Sequence, residues 1–291
     1  MQAPVSVSFG ARMAAARDAY GPLCVGIDPH PALLQRWGLP DDAVGVRAFG
    51  LAVLKAVAGR VAAVKPQSAF FERHGPAGVA ALADVLAAAA AADGHTQVIL
   101  DAKRGDIGPT MSGYADAYLR HDSPFTCDAL TVSPFLGVGS LGPAVDAAVS
   151  SGRGLFVLAL TSNPEGPEVQ HAVDPDGRSV AAGVAQRVSE LNSAELGDRS
   201  GLGSVGLVVG ATVGDAVREL GIDLLAVRGP LLAPGVGAQG AGHRELVSVF
   251  GDARDRVLAS VSRSVLGAGP DPAALRRAAD SATAEAAAAL H

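Results

Sequence analysis

The chain has 291 residues, 49% of them hydrophobic and 18% charged, with 36 glycines; that is enough apolar material for a sizeable core, and it excludes a disordered chain. Its 23 Lys+Arg against 29 Asp+Glu leave a net charge of −6, which argues against a general electrostatic grip on nucleic acid or an anionic membrane, so any phosphate must be held locally. Cys24 and Cys127 lie in or beside apolar runs without CxxC spacing and read as reduced core thiols of a cytoplasmic protein, not as a disulfide framework.

Residues 1–20 carry the Arg, Ser and Ala of a transit peptide, but they include Asp18 and lack a secretory apolar core; they predict a short helix that caps one end of the domain. Apolar runs of strand length follow at 23–28, 61–66, 98–103, 129–134, 155–161, 205–211, 230–235 and 257–263. They are continuous rather than alternating, as suits parallel strands buried on both faces. Helical stretches fall between them at 44–59, 77–92, 112–121, 140–151, 179–194, 214–227, 242–250 and 271–289. Val217, Leu220, Leu224 and Leu225 fit one helical face, which leaves "LLAPG" rather than "IDLLAV" as the seventh strand.

Eight strands, each followed by a helix, predict an α/β protein built as a (β/α)8 TIM barrel, although an open doubly wound sheet has a similar rhythm. No Pro-, Gly- and Ser-rich linker divides the chain, so residues 1–291 read as a single domain. The most apolar helical segment is mostly Ala and is interrupted by Asp84, too weak for a membrane span. The longest irregular stretch, 162–179, is either a lid or an ordinary surface insertion.

Charge is sparse, yet "VILDAKRGDIGPTMSGYADAYL" (98–119) places Asp101, Lys103, Arg104 and Asp106 within six positions. Side chains at i and i+2 of a strand share a face, so Asp101 and Lys103 are expected to point together from the carboxyl end of the third strand, where barrel active sites are built. The chain has three lysines, at 55, 65 and 103, and two of them end predicted strands. A lysine can give up a proton at modest cost where an arginine cannot, which favours proton transfer over a bare salt bridge. Asp28, in "GIDPH" at the end of the first strand, completes an array of alternating charge with Lys65, Asp101 and Lys103. Arg104 is expected to face the other way in a structural ion pair. "PGVGAQG" (234–240) and "SRSV" (262–265) offer backbone N–H groups, Gln239 and Arg263 for a phosphate at the ends of strands seven and eight. His30, His74, His121 and His171 read as solvated.

These segments, with "VKPQSAFFERHG", "LTVSPFLG" and "LALTSNPEG", resemble the orotidine 5'-phosphate decarboxylase family, in particular its longer bacterial subgroup, in order and over nearly the whole chain. The resemblance implies a decarboxylation of orotidine 5'-phosphate to UMP, without metal or cofactor, in pyrimidine biosynthesis. It implies a charged tetrad of Lys65, Asp101, Lys103 and Asp106. Lys103 is then the proton donor, Asp101 faces the departing carboxylate, and Asp28 with Lys65 holds the ribose. It further implies that Ser162 contacts the pyrimidine amide, that Gln239 and Arg263 grip the phosphate, and that Asp106, Ile107 and Thr110 reach the partner's site in a cytoplasmic homodimer.

Two alternatives remain at this level. One is a metal-dependent sugar-phosphate decarboxylase or aldolase-type synthase of the same superfamily, which Lys65 disfavours because an ammonium would stand where a metal ligand is needed. The other is a barrel that binds a phosphorylated ligand without turning it over.

Overall fold

A computed structural model describes residues 7–92, 95–237 and 240–291. Eight strands, β1 (Leu23–Ile27), β2 (Ala63–Pro66), β3 (Gln97–Arg104), β4 (Ala129–Val132), β5 (Gly154–Leu160), β6 (Val205–Val209), β7 (Leu231–Pro234) and β8 (Val257–Val261), pair in parallel in sequence order. β8 pairs back onto β1, through Leu23 with Ala259 and Val25 with Val261. The sheet is therefore closed, and the open doubly wound alternative is excluded. The apolar runs explain the strands: every residue of β1, β2, β4 and β6 is buried, inward residues meeting across the barrel and outward ones meeting the helices.

The helices Ala43–Val57, Gly75–Ala90, Gly108–Tyr118, Gly142–Ser150, Val180–Leu196, His243–Phe250 and Pro272–Leu290 fall where their apolar periodicity predicts. After β6 the expected helix 214–227 contracts to Ala216–Glu219. Gly221 stops it: its φ of +67° is the left-handed conformation of a helix end, with Ile222 N–H returning to the Val217 carbonyl at 2.9 Å. Leu224 is still buried, but Leu225 is exposed, so the helical face read there does not exist.

The predicted N-terminal helix spans Phe9–Tyr20, its first turn capped by Ser8, whose Oγ accepts from Ala11 N–H at 3.3 Å. Its buried Phe9, Met13 and Ala16 join Cys24, Ile99, Phe156, Leu232 and Leu258 in a core inside the barrel. The Phe9 and Phe156 rings meet edge to face with centroids 6.0 Å apart. A second, larger core lies between the strands and the outer helices. Cys24 and Cys127 are buried free thiols, and burial pushes each up to about 12. Among the described residues no helix is long and apolar enough to cross a membrane.

Candidate active site

The strand ends bring a buried carboxylate under two ammonium groups. Asp101, on β3, accepts from Lys65 Nζ at 2.8 Å and Gln67 Nε2 at 3.0 Å through Oδ2. Its Oδ1 accepts from Lys103 Nζ at 2.6 Å and Thr131 Oγ1 at 2.9 Å. Lys65, on β2, and Asp101 are each 10% exposed at the side chain, whereas Lys103 is 46% exposed, facing the mouth of the barrel. The lysine on the floor therefore anchors the carboxylate, and the other can meet a ligand.

Burial alone would push the Asp101 carboxyl up. Attraction to Lys65 and then to Lys103, with the hydrogen bonds both donate, outweighs it and brings the group from 3.8 down to about 2. Burial likewise opposes the Lys65 charge, but Asp101 and then Asp28 overcome it and the ammonium is held above its ordinary 10.5. Asp101 and Lys65 are thus both fixed in their charged forms at neutral pH.

The path of β3 is less regular than simple alternation predicts. From Leu100 to Arg104 it advances four residues while β4 advances two, from Leu130 to Val132, so three residues of β3 face the single residue Thr131. Lys103 takes up the surplus with φ +48°, a left-handed conformation that costs a non-glycine residue about 1–2 kcal/mol. Asp101 and Lys103 do converge, but through this bulge and not through the shared face of a flat strand. Thr131 Oγ1 closes the bulge by accepting from the backbone N–H groups of Ala102 and Lys103, both at 3.0 Å.

Arg104 turns away, as expected. It pairs with Glu72 and lies over the Tyr114 ring, 5.7 Å from its centroid. Gly105 follows, and a Cβ there would fall 2.4 Å from the Ser133 carbonyl oxygen; only glycine lets the chain pass the end of β4 so closely. Beyond it Asp106 leaves its own chain's cluster, its Oδ1 accepting from Ile107 N–H at 2.8 Å. Ile107 and Thr110 are exposed on the same rim, as are Phe135 and Leu136 after β4.

Asp28 follows β1 with a buried Oδ1 that has no hydrogen-bond partner among the described residues. It acts on Lys65 through its field, while the direct ion pair of Lys65 is with Asp101. On the far side, Gly235, Val236, Gly237, Gly240, Ser262 and Arg263 line a cavity of about 360 Å3. Gln239 lies outside the described residues. Ser162 is exposed just after β5. The stretch 162–179 contains one short helix, Pro167–Gln170, and a bridge from Val173 to Ser179. His74 departs from its expected solvation: its side chain is 13% exposed, 3.7 Å from Asp41.

Sequence reading missed Gln67 and Thr131 as partners of Asp101. Each had a signal, Gln67 by standing two residues beyond Lys65 and Thr131 as the one polar residue in the buried run "ALTV". Among the described residues no three His, Cys, Asp or Glu side chains gather in a group that could hold a metal ion.

Comparison with known proteins finds relatives over nearly the whole chain. The orotidine 5'-phosphate decarboxylase of Streptomyces coelicolor is 57% identical over 273 residues, 94% of each chain. That of Salinispora arenicola is 56% identical over 283 residues, covering 97% of this chain and 98% of its own. A Streptomyces avermitilis crystal structure assigned to the same enzyme superimposes with a TM-score of 0.91 at 54% identity, covering 100% of this chain and 99% of that one. The family model for orotidine 5'-phosphate decarboxylase / HUMPS matches residues 21–278, and the chain belongs to that family.

Proposed function

We propose that the protein decarboxylates orotidine 5'-phosphate to UMP and CO2 in pyrimidine biosynthesis, with Lys103 as proton donor. The carrying observation is Asp101 held between Lys65 at 2.8 Å and Lys103 at 2.6 Å, with Lys103 half-exposed toward the mouth.

Asp101 stays ionised, so a substrate carboxylate about 4 Å away would meet roughly 4 kcal/mol of repulsion at an effective dielectric near 20. That repulsion vanishes as the carboxylate leaves as neutral CO2. The electron pair of the broken bond remains on the pyrimidine carbon, beside the Lys103 ammonium, which stabilises it and then gives it a proton. Charge interactions that favour the transition state over the ground state are those that raise the rate. Asp28 and Lys65 receive the ribose hydroxyls, Ser162 the pyrimidine amide, and Gln239 with Arg263 the phosphate, above the cavity that Arg263 lines.

The reading extends to a cytoplasmic homodimer of single-domain chains, with 162–179 as lid. Asp106, Ile107 and Thr110 then complete the partner's site; their outward position beyond Gly105, beside exposed Phe135 and Leu136, supports it. The test is to add orotidine 5'-phosphate in the presence of a chelator and follow orotate absorbance with time. Turnover is expected. No change would sink the reading, and turnover appearing only with added magnesium would favour a metal-dependent sugar-phosphate decarboxylase or aldolase-type synthase of the same superfamily.

A further inference from the structure

We infer that Thr131 is a positioning residue that sets the Lys103 ammonium in its reactive place. The inference rests on the reading of Lys103 as proton donor and adds a residue to it.

A threonine hydroxyl has one proton to donate and two lone pairs to accept with. Thr131 uses all three on the same segment: the proton goes to Asp101 Oδ1 at 2.9 Å, and the lone pairs take the N–H groups of Ala102 and Lys103 at 3.0 Å. The side chain is buried, with 1% of the residue exposed, so water does not replace it without a rearrangement. Thr131 is the single residue of β4 that stands opposite residues 101–103 of β3, a surplus of two on the β3 side. It therefore ties together three things that regular strand geometry would not supply. These are the outward bulge, the left-handed backbone of Lys103 (φ +48°), and the Asp101 oxygen that Lys103 Nζ meets at 2.6 Å.

The hydroxyl's three described partners all lie on β3, so its loss should act on the chemical step and spare binding. Valine has nearly the same shape and no hydroxyl, while serine keeps the hydroxyl and loses the methyl, and the pair separates hydrogen bonding from packing. The experiment measures kcat and KM for orotidine 5'-phosphate in Thr131→Val, Thr131→Ser and a Lys103→Ala control, with thermal unfolding of each.

Thr131→Val should lower kcat roughly 10- to 100-fold, the range of one hydrogen bond to a charged group, with KM changed less than about 3-fold. Thr131→Ser should restore kcat to within about 3-fold of the parent. An undiminished kcat in Thr131→Val, or a serine variant as impaired as the valine one, overturns the inference. If the valine variant does not fold, Thr131→Ala against Thr131→Ser decides it on the same criteria. Near-normal turnover by Lys103→Ala would instead overturn the assignment of the donor, a separate result from the threonine series.

Discussion

Lys65 and Lys103 approach the two oxygens of one carboxylate, Asp101 Oδ2 at 2.8 Å and Oδ1 at 2.6 Å, and Lys103 is by far the more exposed of the two. This division of labour makes their substitutions distinguishable. Lys103→Ala removes the exposed ammonium while leaving the buried Lys65–Asp101 pair in place. Turnover should fall by at least about 1,000-fold, the scale of losing a general acid together with its charge, while the unfolding midpoint in urea shifts little. A near-normal rate in the absorbance assay would remove Lys103 from the chemistry.

Asp101 carries a pH signature. Its carboxyl is held at about 2 in the folded chain against an ordinary 3.8. A depressed carboxylate contributes stability that is fully present above its unfolded value and is lost as pH falls toward its folded one. Across that interval the parent should lose about 2 kcal/mol more unfolding free energy than Asp101→Asn. Urea titrations at pH values from about 5 to about 2 measure the difference, and parallel curves would contradict the charge assignment. The asparagine variant should also be weaker at neutral pH by roughly 3 kcal/mol, because Lys65 then keeps a buried charge without its counterpart.

Asp106 tests the shared site. If it serves the partner's lysine, inactive Lys103→Ala and Asp106→Ala chains mixed after denaturation should regain activity, since each hybrid holds one intact site. A random mixture should recover roughly a quarter of parent activity. Hybrids that demonstrably form and stay inactive would assign Asp106 to its own chain.

The N-terminal helix makes a prediction confined to stability. Phe9 is fully buried against Phe156, far from the strand ends that carry the charges. Phe9→Ala should cost about 3–5 kcal/mol in chemical unfolding and leave kcat per folded molecule unchanged. A fall in kcat without a fall in stability would show that the floor of the barrel reaches the site.

The succession of strands and the charged residues were legible because they depend on local signals, continuous apolar runs and charges standing at their ends, whereas closure rests on the pairing of β8 with β1. What was hidden depends on tertiary pairing. The surplus of residues in β3 cannot be read from "LDAKR" alone, since it exists only relative to β4, and so the role of Thr131 was invisible although its polarity in a buried run was not. The helix 214–227 failed for a local reason, Gly221, whose left-handed conformation outranked the apolar spacing around it. Asp106 was separable from Asp101 in the sequence only through the family's motif, whereas the structure separates them by the turn at Gly105.

The packing of Phe9, Met13 and Ala16 with Cys24, Phe156 and Leu258 fills the barrel at the end away from the charged residues. In the proposed reaction carbon dioxide would leave from the strand ends, past the half-exposed Lys103 ammonium that would protonate the carbon it abandons. If 162–179 closes over the site as proposed, it would hold CO2 beside its point of origin, and its opening would commit the reaction forward.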